Sequence, residues 1–161
     1  MIPEPSRVRR TLGLSLCVWL VSLAARAETD ACTLVTPAQV SAAVGVSVGE
    51  GTHVMPTFVK TCTWAPTAKS SIRAVTVNLQ TVAFYDGAKQ MAVKAAAAVP
   101  AAQVKAVSVG DDGYYDVAGS MVTLLFKKGT ESAKVAVYAK MPVDEIEAIE
   151  LAIAKQVAAK L

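Results

Sequence analysis

The feature that most limits the fold is a series of alternating segments late in the chain, joined by connections of only a few residues. Tyr114 to Val117, Met121 to Lys127 and Lys134 to Met141 read as three strands, with Lys127-Lys128-Gly129-Thr130 supplying a hairpin connection. Parallel neighbours would need crossovers of a dozen or more residues, so these strands pair antiparallel. Upstream, Val75, Val77 and Leu79 alternate with Thr76, Asn78 and Gln80, the pattern of a half-buried strand. Lys60 to Trp64 reads as a further strand, with Cys62 and Trp64 on one face and Thr61 and Thr63 on the other. Val104 to Val109 is strand-like and runs into the turn-rich Gly110-Asp111-Asp112-Gly113.

Three helices punctuate these strands. Thr36 is an N-cap, Pro37 takes the first helical position and Gln39 completes a capping box, while Gly45 ends the helix after Val40, Ala43 and Val44 have formed its apolar face. Asp86 is placed to cap a second helix reaching about Val99, with Pro100 as its stop. Asp144 is placed to cap a third, in which Ile146, Ile149, Ile153, Val157 and Leu161 recur at helical spacing. The expected fold is α+β in two layers, a largely antiparallel sheet with helices packed on it, in the order α-β-β-α-β-β-β-α.

Residues 1–27 read as a secretory signal peptide rather than as part of this fold. Arg7, Arg9 and Arg10 precede an apolar run from Thr11 to Leu23, and Ala25-Arg26-Ala27 supplies a small-x-small cleavage signature ahead of Glu28. The run is shorter than the ~20 residues a membrane span requires, so no stable membrane insertion is expected after cleavage. Cys17 follows Leu16, where a lipidated cysteine needs a small neighbour, and Arg9-Arg10 with Leu12 also fits a twin-arginine signal. The expected product is a single domain, residues 28–161, in the periplasm or outside the cell.

Export redraws the charge balance. The chain has 16 Lys and Arg against 13 Asp and Glu; Arg7, Arg9, Arg10, Arg26 and Glu4 leave with the signal, so the product carries 12 of each. Nucleic-acid binding needs a dense basic stripe, and after cleavage only Lys127-Lys128 are adjacent cations. Two cysteines remain, Cys32 and Cys62, and in an exported domain an even pair without Cys-x-x-Cys spacing is read as a structural disulfide.

The segment Ala31-Cys32-Thr33-Leu34-Val35-Thr36-Pro37-Ala38-Gln39-Val40, with Gly45, Cys62-x-Trp64 and Val109-Gly110-Asp111-Asp112, resembles small exported bacterial envelope domains, many of them lipoproteins. The resemblance implies an envelope location, a disulfide and an α+β fold, and brings no activity with it. The chain departs from the lipoprotein members in lacking a lipid-attachment site.

Candidates for chemistry are few. His53 is the sole histidine, and no Gly-x-Ser-x-Gly elbow or cofactor motif occurs. Asp111, Asp112 and Asp116 could serve as acid–base carboxylates or calcium ligands, but the EF-hand order is missing and an acidic glycine turn is the commoner meaning. His53-x-Met55 could hold copper(I) on an extended segment; an exposed loop histidine beside a packed methionine is the plainer reading. Tyr114 and Tyr115 must face opposite ways on a strand, so one is expected inside and the other against solvent or a partner. Tyr114, Tyr115, Asp111 and Asp112 therefore form the candidate binding surface. No catalytic residue, cofactor or metal ligand is assigned. The expected function is a non-enzymatic accessory or binding module of the envelope that meets an envelope protein or a small ligand. The alternative is a periplasmic small-ligand carrier with its pocket between sheet and helices.

Overall fold

The computed structural model describes residues 28–161, so the signal-peptide expectation lies outside the described residues. Seven strands form one antiparallel sheet: β1 (Thr52–His53), β2 (Thr61–Trp64), β3 (Ile72–Thr81), β4 (Ala102–Val107), β5 (Asp112–Ala118), β6 (Met121–Lys128) and β7 (Glu131–Ala139). Their order across the sheet is β1-β2-β3-β7-β6-β5-β4. A 3-10 turn (Ala31–Thr33) and three helices, α1 (Pro37–Val44), α2 (Val82–Ala98) and α3 (Val143–Ala158), complete the α+β fold. None of these helices is long and apolar enough to cross a membrane.

Local signals behave as their chemistry requires at α1. Thr36 and Gln39 exchange both capping-box hydrogen bonds, and Gly45 closes the helix at φ 72°. The other two helix starts differ from the sequence reading. β3 runs to Thr81, which pairs with Glu131 in the ladder and also caps α2 by accepting the Phe84 N–H. Strand and helix thus share a residue, and Asp86 lies inside α2 rather than at its start. At α3 the N-cap is Pro142, with no side-chain cap; Asp144 falls in the first turn, where its charge suits the helix dipole.

The helices cover both faces of the sheet, which goes beyond the two layers expected. On the inner face α1, α3 and the 3-10 turn cover a continuous core that includes Trp64, Val75, Val77, Leu124, Phe126 and Ile153. On the outer face α2 lies over β4, β5 and β6, and a small second cluster of Tyr85, Ala92, Tyr114 and Leu125 forms beneath it. Over β2 and β3 the outer face is polar. There Thr63 Oγ1 lies 3.2 Å from Thr76 Oγ1, and Asn78 Nδ2 donates to Thr61 Oγ1.

Cys32 and Cys62 form a disulfide. It fastens the turn before α1 to β2, and closing a loop of sequence separation 30 stabilises by about 3.5 kcal/mol through loop-closure entropy. Trp64 is fully buried beside it. Gly51 lies against both groups: a Cβ there would stand 2.6 Å from Cys62 Sγ and 2.7 Å from Trp64 Nε1, so only glycine lets the backbone pass.

Candidate functional site

The strand alternation that separates Tyr114 from Tyr115 buries both. Tyr115 points to the inner face and donates from its hydroxyl to the Glu147 carbonyl at 2.6 Å. Tyr114 points to the outer face and meets Tyr85 edge to face at 5.4 Å between centroids. The expectation that one of them faces solvent or a partner is therefore corrected: α2 covers the face that was read as open. Burial pushes each phenol up to about 12, with Asp116 adding to the effect at Tyr114 and Glu147 at Tyr115.

Their acidic neighbours are held in structural contacts. Asp112 accepts two hydrogen bonds from Lys89, at 2.7 and 2.8 Å, and this pairing holds its carboxyl below the usual range despite partial desolvation. Asp86 pairs with Lys127 at 2.9 Å, and both lysines lie over the Tyr85 ring. Asp111 accepts from the Gly129 N–H at 2.7 Å, tying the turn before β5 to the β6–β7 hairpin. Asp111 and Asp112 do line an open hollow of about 760 Å³ with Lys128 and Lys155. The tyrosines are absent from its walls, so the four expected residues do not share one surface.

His53 and Met55 exchange the roles expected of them. His53 is half-buried; its Nδ1 lies 3.1 Å from the Thr61 carbonyl and its Nε2 lies 3.4 Å from Asp30 Oδ2. Met55 is 56% exposed. Asp30, Cys32 and His53 offer donor atoms within 4.8 Å of one another, yet the Cys32 sulfur is spent in the disulfide. Two donors remain, too few for a closed metal site.

Two further places stand out. The first is a groove of about 580 Å³ along α2, lined by Phe84, Met91, Gly87 and a run of alanines from α2, β4 and β5. Phe84 is 56% and Met91 72% exposed, an unusual position for large apolar side chains on a helix packed against its own sheet.

The second lies where the sheet comes apart. β6 pairs with β7 from Lys128↔Glu131 to Leu124↔Val135 and no further, although β6 begins at Met121 and β7 continues to Ala139. Beyond that point β6 stays with β5 as far as Ala118↔Met121, and β7 stays with β3 as far as Ile72↔Ala139. The parted ends enclose a cleft of about 530 Å³. Behind it, Glu150 of α3 is fully buried, and its Oε1 accepts the Val137 N–H at 3.0 Å, which satisfies a donor that the ladder leaves free. Its Oε2 has no hydrogen-bond partner among the described residues. Desolvation raises the carboxyl to about 8 in spite of its backbone hydrogen bonds. Glu150 was not read from the sequence, although a signal is present: it takes the place of an apolar residue in the stripe Ile146, Glu150, Ile153, Val157.

Comparison with known protein families, with curated proteins and with solved structures finds no match.

Proposed function

We propose that the protein is an exported, non-enzymatic binding or accessory module of the bacterial cell envelope, and that α2 carries its partner-binding surface. The observation that carries this reading is the exposure of Phe84 and Met91 along an alanine-floored groove. Aromatic and methionine side chains raised over small residues are what an apolar partner surface needs. The groups most able to do chemistry support a binding rather than a catalytic role. Asp86, Asp111, Asp112 and His53 are engaged with Lys127, the Gly129 N–H, Lys89, and Thr61 with Asp30. Export is supported by the signal-peptide pattern, by the disulfide and by the resemblance to envelope domains.

N-terminal sequencing of the product from a bacterial host should begin at or near Glu28. A chain retaining residues 1–27, or one beginning at Cys17, would contradict the route. Native mass spectrometry of protein purified from its host tests the role. A co-purifying protein that is lost in Met91→Glu supports the accessory module, and capture unaffected by Met91→Glu and Phe84→Glu removes the α2 surface.

The second reading is a small-ligand carrier, favoured by the volume of the groove, about 580 Å³ between α2 and the sheet, within the ~300–1,000 Å³ of small-molecule sites. A co-purifying small mass in the same experiment selects it.

A further inference from the structure

We propose that the cleft between the parted ends of β6 and β7 binds a small organic anion, a carboxylate carried on an aliphatic or aromatic body. The site is distinct from the α2 groove and shares only Asp116 and Ala118 with it, so the inference stands or falls apart from the partner surface.

Three observations converge on it. Arg73, Lys134 and Lys140 all line the cleft, and among the described residues none of them has a carboxylate within 4.0 Å. Asp116 is the one acid on the same lining, which leaves it with a net charge of +2. Lys60, Lys89, Lys105 and Lys127 each lie within 4.0 Å of a carboxylate; Arg73, Lys134 and Lys140 do not, and their convergence on one opening marks a place for an external anion. The lining of the cleft is mixed, with Ser120 and Thr123 among its apolar side chains. Val122, Val137 and Ile146 line it and are otherwise buried in the sheet and α3, while Tyr138 and Met121 line it from exposed positions. A volume of about 530 Å³ suits a small molecule rather than a folded partner.

The backbone explains why the space exists. A sheet that parts in its middle gives up ladder hydrogen bonds, and Glu150 replaces one of them at the Val137 N–H. The gap is thus held from behind by a side chain instead of closing. In that geometry the apolar body of a ligand lies against Met121 and Tyr138, above the nearly buried Val122, Val137 and Ile146. Its carboxylate meets the guanidinium of Arg73 or the ammonium groups of Lys134 and Lys140, each contact a charge-assisted hydrogen bond.

Isothermal titration of the protein at pH 7 with octanoate and 4-phenylbutyrate, against octanol and octylammonium, tests the assignment. At least one carboxylate should bind saturably, at least tenfold tighter than octanol, and octylammonium should not saturate. Arg73→Glu and Lys134→Glu, on exposed and half-exposed side chains whose variants should melt like wild type, should each weaken the carboxylate at least tenfold. Met91→Glu in the α2 groove should leave it unchanged. Equal binding of the three octyl compounds would overturn the proposal. So would failure of both carboxylates to bind, indifference to both charge reversals, or loss of binding in Met91→Glu alone.

Discussion

The two faces of the sheet are built from the same strands and held by different means. On the inner face α1, α3, the disulfide and a continuous apolar core cover most of the width of the sheet. On the outer face α2 is held by a cluster of four buried residues, two of them its own, and by ion pairs that remain partly exposed, Lys89–Asp112 and Lys127–Asp86. Exposed pairs of this kind contribute little, ~0–1 kcal/mol each, whereas burying a large apolar side chain contributes ~1.5–3 kcal/mol. The inner face therefore supplies the stability, and the outer face is left to present a groove and the charged mouth of the cleft. Tyr114 and Tyr115 show the division at one position: adjacent in sequence, one belongs to the small outer cluster and the other to the large inner core.

The strongest challenge to this division is to cut the inner fastening. Cys32→Ser should cost about 3.5 kcal/mol, a large share of the ~5–15 kcal/mol of a domain, measured as a fall in the denaturation midpoint followed by Trp64 fluorescence. Any partner or ligand binding on the outer face should survive at low temperature in the fraction that stays folded. Peptide mapping that found both thiols free would remove the fastening altogether.

Glu150 is the weak point of the inner face, and pH exposes it. The unfolded chain loses this proton near the ordinary 4.5, and the folded chain keeps it to about 8. Across that window the unfolded state binds fewer protons, so stability falls as pH rises, on the order of 1 kcal/mol per pH unit from this group. Glu150→Gln keeps an acceptor for the Val137 N–H and removes the ionisation. The variant should match wild type near pH 4 and exceed it increasingly up to pH 8, read from urea denaturation at each pH. Parallel curves for the two proteins would show that the carboxyl ionises freely in the fold.

Gly51→Ala should cost about 1–3 kcal/mol, because its Cβ meets the disulfide and the indole and a packed core yields only by strain. The smallest effect is expected on the outer face. Lys89→Ala should change the melting point by no more than ~1 kcal/mol allows, and a larger loss would mean that α2 is fastened as firmly as α3.

How far this division was legible in the sequence depends on the range of the interaction involved. The capping box at Thr36, the alternation at Val75, Val77 and Leu79 and the cysteine pair are local or compositional signals, and each appears in the structure as read. Thr81 was missed because one residue ends a strand and caps a helix, leaving no loop to announce the boundary. β1 has only two residues, too few to show a period. The burial of both tyrosines could not be read locally, since it depends on α2 folding back across strands that follow it in the chain. The cleft is the least legible feature. It arises where two strands part, and Arg73, Lys134 and Lys140 come to it from β3, β7 and the residue just past β7.

The division between the faces is tested most directly by residue-resolved hydrogen exchange under native conditions. Amides of α2 between Tyr85 and Ala98 should exchange through a sub-global opening well below the unfolding free energy. Amides of α3 around Ile153 and of β7 around Val135 should exchange only through global unfolding. Exchange of α2 and α3 at one common free energy would contradict the account, because it would make the outer face as integral to the fold as the inner one.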